Sequence, residues 1–290
     1  MDEQAVLERL TASLSHAGDD AAVVDGLVLT TDMLHESTDF PEGTTHYTAG
    51  WRSVGASLSD VAAMGAEAVA AVAVYGAPEF TWDEIAAFLD GACDVCEAVG
   101  ASYVGGDLDT HTELTVATTA LGRTDDPVLR SGARPGDVVC VTGTLGRSGA
   151  AVRLFEQGDH ERANTLFQFE PRIETGRALS GVATAMLDSS DGLARSLHQL
   201  SEASGCGFDI ESPLPIDGVV EEVTDSEGER RELGTFFGED FELVCTIPPD
   251  RVSEMQETVP VTLTPIGTAT ESGVVLDGDR LPDHGYTHGE

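Results

Sequence analysis

The sequence predicts an α/β protein of the α+β type, built as an amino-terminal α/β half (residues 1–124) and a carboxy-terminal α/β half (residues 125–290). Three observations carry this. Short apolar runs suited to buried strands alternate with segments of helical period. A polar stretch, Thr124–Pro135 (TDDPVLRSGARP), divides the chain near its middle. At 290 residues and 41% hydrophobic content, the chain is long enough to bury two sizeable cores.

A short helix opens the chain, and Ala22–Thr30 then reads as two short strands around the Asp25-Gly26 turn. Thr48–Met64 has helical spacing, and Ala68–Val74 is an apolar run of strand length. In Trp82–Val99 the residues Ile85, Phe88, Leu89, Ala92, Val95, Cys96 and Val99 recur with helical period. The pair Cys93 and Cys96 therefore reads as helix packing rather than a metal or redox motif, since no second pair or nearby His accompanies it. Tyr103–Val104 leads into a Gly-Gly-Asp turn, followed by a strand over Glu113–Leu121. In the second half, Val138–Thr142 is a strand entering the glycine-rich TGTLGRSGAA and a helix. Leu193–Ala203 reads as a helix, Phe241–Ile247 as a core strand, and acid-dense Asp217–Glu232 as a surface loop or helix. Each half ends a strand in a Gly/Asp-rich turn before a helix.

Charge removes several function classes. There are 52 acids against 15 bases, a net of -37, and every base is Arg: the chain has no Lys. Such a surface repels nucleic acid and anionic membranes, so neither is expected as a partner. The acids are dispersed through patterned segments rather than gathered in blocks, which predicts a folded protein adapted to high salt, where the Debye length falls to about 3 Å at 1 M. No apolar run reaches the roughly 20 residues of a membrane helix. MDEQAVLERL has no basic-then-apolar signal pattern, which predicts a cytoplasmic protein. Without Lys, a P-loop lysine, a protein-kinase strand lysine and Schiff-base chemistry are all excluded. TGTLGRSG at Thr142–Gly149 lacks the GK[ST] ending of a P-loop and reads as a tight strand-to-helix connection. Ser148, Ser189 and Ser190 sit in no GxSxG elbow. The eight His show no HExxH spacing, and His46 and His198 read as surface or helix residues.

The chemistry lies in the carboxylates. Acids recur at strand-to-loop junctions beside Gly, Ser and Thr: Asp19-Asp20, Thr30-Thr31-Asp32, Ser59-Asp60, Gly106-Asp107, Asp188 with Ser190-Asp191, and Glu239-Asp240. Magnesium takes oxygen ligands, commonly one or two carboxylates plus substrate phosphates and water. Acids gathered in one cleft allow a chain without Lys to handle a triphosphate. Asp beside Gly or Ser is also ordinary turn and cap chemistry, so no single motif carries the assignment. Their joint order does.

GDDAAV (Gly18–Val23), TTDM (Thr30–Met33), SLSDVAAMGA (Ser57–Ala66) and VGGD (Val104–Asp107) resemble the thiamine-monophosphate kinase family. So do RSGARPGD (Arg130–Asp137), LDSSDGL (Leu187–Leu193), GEDFEL (Gly238–Leu243) and GYTH (Gly285–His288). The likeness runs along nearly the whole chain and implies a two-domain fold like that of aminoimidazole-ribotide synthetase. In it, an ATP/metal-binding and dimerisation domain precedes the carboxy-terminal domain. It implies a homodimer with ATP and Mg²⁺, transferring the γ-phosphoryl group to the phosphate of thiamine monophosphate. By the same resemblance, Asp20, Thr30, Thr31, Asp32, Asp60, Asp107, Asp188 and Asp191 match metal positions. Asp60, Asp107 and Asp188 are the expected catalytic acids; Gly106, Asp107, Arg130 and Ser190 match nucleotide contacts; Asp39, Glu239 and Tyr286 fall at substrate positions.

Two residues depart from the family pattern. Asp39, before Phe40, stands where the family has a His that contacts substrate, and Ser57 stands where it has Asn. At this point two alternatives stay open. One is another enzyme of the same ATP-binding superfamily, although the Cys or selenocysteine and Lys of a selenophosphate synthetase are absent. The other is a non-catalytic binder of nucleotide or divalent ion.

Overall fold

The computed structural model describes residue 14 and residues 17–285. The predicted amino-terminal helix and Tyr286 lie outside them. The first half runs β1 (Ala22–Val24), β2 (Leu27–His35), α1 (Glu36–Asp39), α2 (His46–Ala63), β3 (Glu67–Ala77), α3 (Trp82–Ala98), β4 (Ser102–Thr110) and β5 (Thr115–Arg123). Its strands form one sheet in the order β1-β2-β5-β3-β4. β1 and β2 are antiparallel about Asp25 and Gly26, both with positive φ, as the sequence predicts.

The second half continues with β6 (Val138–Thr142), α4 (Arg147–Glu156), α5 (His160–Phe167), α6 (Ile173–Leu179), β7 (Ala185–Asp188), α7 (Leu193–Ser204) and β8 (Gly207–Ile210). Then come α8 (Val220–Val223), α9 (Glu227–Thr235), β9 (Leu243–Ile247), α10 (Val252–Thr258), β10 (Leu263–Thr270), β11 (Val274–Leu276) and β12 (Asp279–Arg280). These strands form a seven-stranded sheet, β12-β11-β8-β10-β6-β9-β7. The acid-dense stretch after Asp217 holds the short helices α8 and α9.

Two expectations need correction. The Gly-Gly-Asp after Val104 is not a turn: β4 runs through it, paired in parallel with β3. Val104 is an extra residue between the Ala71–Tyr103 and Val72–Gly105 pairs, and this bulge absorbs the irregularity that glycine introduces. The core strand predicted from Phe241 begins only at Leu243, because Glu239 (φ 72°) and Phe241 (φ 54°) are left-handed and no strand accommodates that backbone.

Alternation explains the layers. In β2, Val28 and Leu34 face inward onto α2, while Leu27, Leu29, Thr31 and Met33 face outward. In the second sheet the alternation separates two cores. Cys140, Met186, Leu243 and Cys245 pack with Leu58 and Phe88 of the first half. Val141, Leu187 and Val244 pack instead with Leu193, Leu197 and Phe208. The first of these cores joins the halves across the polar boundary. Cys96 is buried in it as the helical reading requires, whereas Cys93 is exposed on the far side of α3. Among the described residues, no helix is long and apolar enough to cross a membrane.

Candidate active site

Three of the predicted acids meet where the halves join. Asp20 lies in the bend before β1, Asp60 near the carboxy-terminal end of α2, and Asp188 at the end of β7. Each offers a carboxylate oxygen, and these oxygens lie within 4.8 Å of one another. Thr30 on β2 donates its hydroxyl to Asp60 Oδ2. Asp32, two residues along on the same face, accepts from Ser57 Oγ at 2.5 Å, and Ser57 and Thr118 hydroxyls are 2.7 Å apart. Ser57, the departure from the family pattern, is thus the residue that orients Asp32.

Arg130 closes the group. Its Nε and Nη2 donate to Asp20 Oδ2 and Oδ1 at 3.2 and 3.1 Å, and its backbone N–H donates to Asp19 Oδ1 at 2.8 Å. One guanidinium does not balance these acids. Burial, then the charges of Asp32, Asp188 and Asp20, hold the Asp60 carboxyl well above its ordinary range. Burial and Asp20 push Asp188 up to about 8. Burial also raises Asp32, against the bond from Ser57. Among the described residues, Asp188 Oδ2 is buried with no hydrogen-bond partner. A buried orphan oxygen amid converging carboxylates fits a hard divalent cation, which takes oxygen ligands and offsets the repulsion.

Other predicted residues fall elsewhere. Thr31 points to the opposite face of β2, its hydroxyl bonded to Thr118 O at 2.7 Å. Ser190 and Asp191 sit half-buried in the turn after Asp188. Gly106 and Asp107 lie on β4 in a groove of about 420 Å³ lined by Tyr75, Trp82, Tyr103 and Leu108. Gly106 has a structural reason to be glycine: a Cβ there would meet Ala73 O at 1.8 Å. Register sets Thr30 opposite Ala120, Ala120 opposite Ala71, and Ala71 opposite Tyr103. Asp107 is therefore three strand spacings and four residues from Thr30, about 20 Å at roughly 4.8 Å per strand and 3.3 Å per residue. Within one chain, Asp107 stands apart from the three converging acids.

Two of the residues expected on the substrate side converge on a second feature. Asp39 and Glu239 both line a cavity of about 390 Å³ with Phe167, Phe236, Phe237 and Gly285, the residue before Tyr286. Glu239 N–H donates to Ser190 O at 2.6 Å, and a Cβ on Gly238 would meet the same oxygen at 2.2 Å. That close approach locks the cavity loop onto the turn after Asp188.

The residue that sequence reasoning missed is Arg52 on α2, fully buried beneath this cavity. Its Nη2 donates to Glu239 Oε2 at 2.6 Å and Glu239 O at 3.0 Å, and its Nη1 to Phe167 O at 2.7 Å. The signal was present: an Arg on the buried face of a predicted helix must have a polar partner.

Comparison with known proteins agrees with this architecture. Residues 18–124 match the model for the AIR synthase related protein, N-terminal domain, and residues 134–278 that for the C-terminal domain. These define a class of two-domain α/β proteins. The chain is 62% identical to a thiamine-monophosphate kinase of Halobacterium salinarum, over 99% of this chain and 100% of that one. It is 40% identical to one from Methanospirillum hungatei over 99% of each. A solved structure, AaThiL complexed with AMPPCP and TMP, superposes with a TM-score of 0.90 at 29% identity, covering 99% of this chain and 97% of that one. Within the AIR-synthase-related class, the chain belongs to the thiamine-monophosphate kinase family.

Proposed function

We propose that this chain transfers the γ-phosphoryl group of ATP to the phosphate of thiamine monophosphate, yielding thiamine diphosphate and ADP. The observation that carries the reading is the convergence of Asp20, Asp60 and Asp188 around the unpartnered Asp188 Oδ2. Asp20, Asp60 and Asp188, backed by Thr30 and Asp32, would hold Mg²⁺, which supplies charge neutralisation between these acids and the substrate phosphates. Arg130 steadies Asp20 and offers a cation to the nucleotide phosphates. The acceptor phosphate is already anionic and needs no strong general base, so in-line attack proceeds without a covalent intermediate.

The cavity beside Asp39 and Glu239 takes the thiamine rings, and Tyr286 follows its last lining residue, Gly285. The aromatic groove at Gly106 and Asp107 takes part of the nucleotide. Asp107 serves the three acids of a second copy, because about 20 Å separates it from Thr30, the residue bonded to Asp60, in its own chain. The outward face of the first sheet supports that homodimer: Leu29, Met33, Val74 and Val104 are each 43% exposed or more. An apolar sheet face of this size favours burial against another chain. Sedimentation should give twice the 30.4 kDa chain mass, and a monomer at micromolar concentration would contradict it. The protein is read as a halophilic cytoplasmic enzyme.

Incubation with ATP, Mg²⁺ and thiamine monophosphate in high salt tests the whole reading. ADP and thiamine diphosphate should form in equal amounts and stop on chelation. ADP without thiamine diphosphate would defeat it.

A further inference from the structure

We propose that Asp39 makes the substrate cavity selective for a positively charged ring. The inference rests on the thiamine reading of that cavity and goes on to assign which property of the ring is recognised.

Asp39 is 8% exposed, and its carboxylate Oδ2 accepts from His35 N–H and Thr38 Oγ, both at 2.7 Å. Among the described residues no arginine pairs with it, and Oδ1 has no partner. The other acid of the cavity differs. Glu239 is matched by Arg52 at 2.6 Å, so among the described lining residues the net negative charge comes from Asp39. Phe236 and Phe237 supply aromatic walls, whose faces attract cations.

A nearly buried anion without a countercharge is costly, and a ligand that brings the charge removes that cost. A thiazolium ring does so; a neutral ring of the same shape enters the cavity and leaves Asp39 uncompensated. Discrimination then arises from the unpaired group rather than from shape.

The test is calorimetric titration of the full chain in high salt with two ligands. One is thiamine monophosphate. The other is its analogue with a carbon in place of the thiazolium nitrogen, a neutral thiophene. Wild type should bind the cationic ligand at least about tenfold more tightly, the scale of one desolvated charge contact. In Asp39→Asn the amide oxygen still accepts from His35 and Thr38, so only the charge is lost. Its ratio should fall to within about threefold. Asp39→Glu, which keeps the charge, should keep the preference. A wild-type ratio near one, or a full ratio surviving in Asp39→Asn, overturns the proposal. Because binding is measured, the result stands whether or not turnover occurs; product analysis on the same wild-type sample judges the kinase reading separately.

Discussion

Replacing Arg52 with Met probes the joint between the halves, because a helix of the first half holds a loop of the second through one guanidinium. Arg52 has no exposed surface, and the Glu239 side chain is 24% exposed. Removing one partner of a buried pair costs about 3–5 kcal/mol, and the partial exposure of Glu239 places this case near the lower end. The Arg52 Cζ also lies 3.6 Å from the centroid of the Phe167 ring, worth about 1 kcal/mol more. The Phe167 carbonyl is left without its donor as well. A total near 4 kcal/mol, at roughly 2–3 °C per kcal/mol for a chain of this length, lowers the melting temperature by about 8–12 °C. Thermal unfolding followed by circular dichroism in high salt measures it. Arg52→Lys keeps the charge but not the fork, and should fall between. A Met variant melting within about 2 °C of wild type would refute the assignment of Arg52 as the clamp on Glu239.

Asp60→Asn should lower turnover by about 10²–10³, since metal-held charge stabilisation is worth several kcal/mol, while its melting temperature in chelator stays level or rises as repulsion from Asp32, Asp188 and Asp20 is relieved. In wild type, Mg²⁺ at a hundred times its Kd should add about 2.7 kcal/mol of stability, and that increment should vanish in the variant. Asp240, bonded to Gly146 and Ser148 N–H at the start of α4, is pushed up to about 7 by burial, which outweighs those two donors. A carboxyl raised in the folded state contributes stability that is full below its unfolded value near 4 and lost as pH rises through about 7. Thermal melts should therefore show Asp240→Asn gaining on wild type between pH 4 and 7, by at most about 4 kcal/mol, and no further above it. Lowering salt from about 1 M to 0.1 M lengthens the Debye length from about 3 to 10 Å, so a net charge of -37 should lower the melting temperature throughout; a flat profile would contradict salt adaptation.

The sequence disclosed most where local rules decide. Asp25-Gly26 marks a hairpin, the period of Trp82–Val99 a helix, and the run Val138–Thr142 a strand, because turn chemistry and alternation act over a few residues. It was silent where distant segments decide. The Gly105-Gly106 pair reads as a turn until β3 is placed beside it, and only tertiary pairing keeps β4 extended there. Phe241 belongs to an apolar run, yet the Arg52 clamp and the Gly238 contact with Ser190 hold the preceding loop in left-handed geometry. The acids follow the same division. Asp20, Asp60 and Asp188 were legible as motif positions, but their convergence brings Asp188 to an Asp60 that lies 128 positions earlier in sequence (188 − 60). Thr31 was legible as a neighbour of Thr30, and strand alternation turns it to the other face.

The central claim is direct transfer of one phosphoryl group between two substrates held against Asp20, Asp60 and Asp188. ATP labelled at its γ-phosphate, incubated with the chain, Mg²⁺ and thiamine monophosphate in high salt, follows that group. The account predicts label only in the terminal phosphate of thiamine diphosphate, one per ADP formed, with none retained on the denatured protein. Label released as inorganic phosphate, or left on the chain, would contradict it.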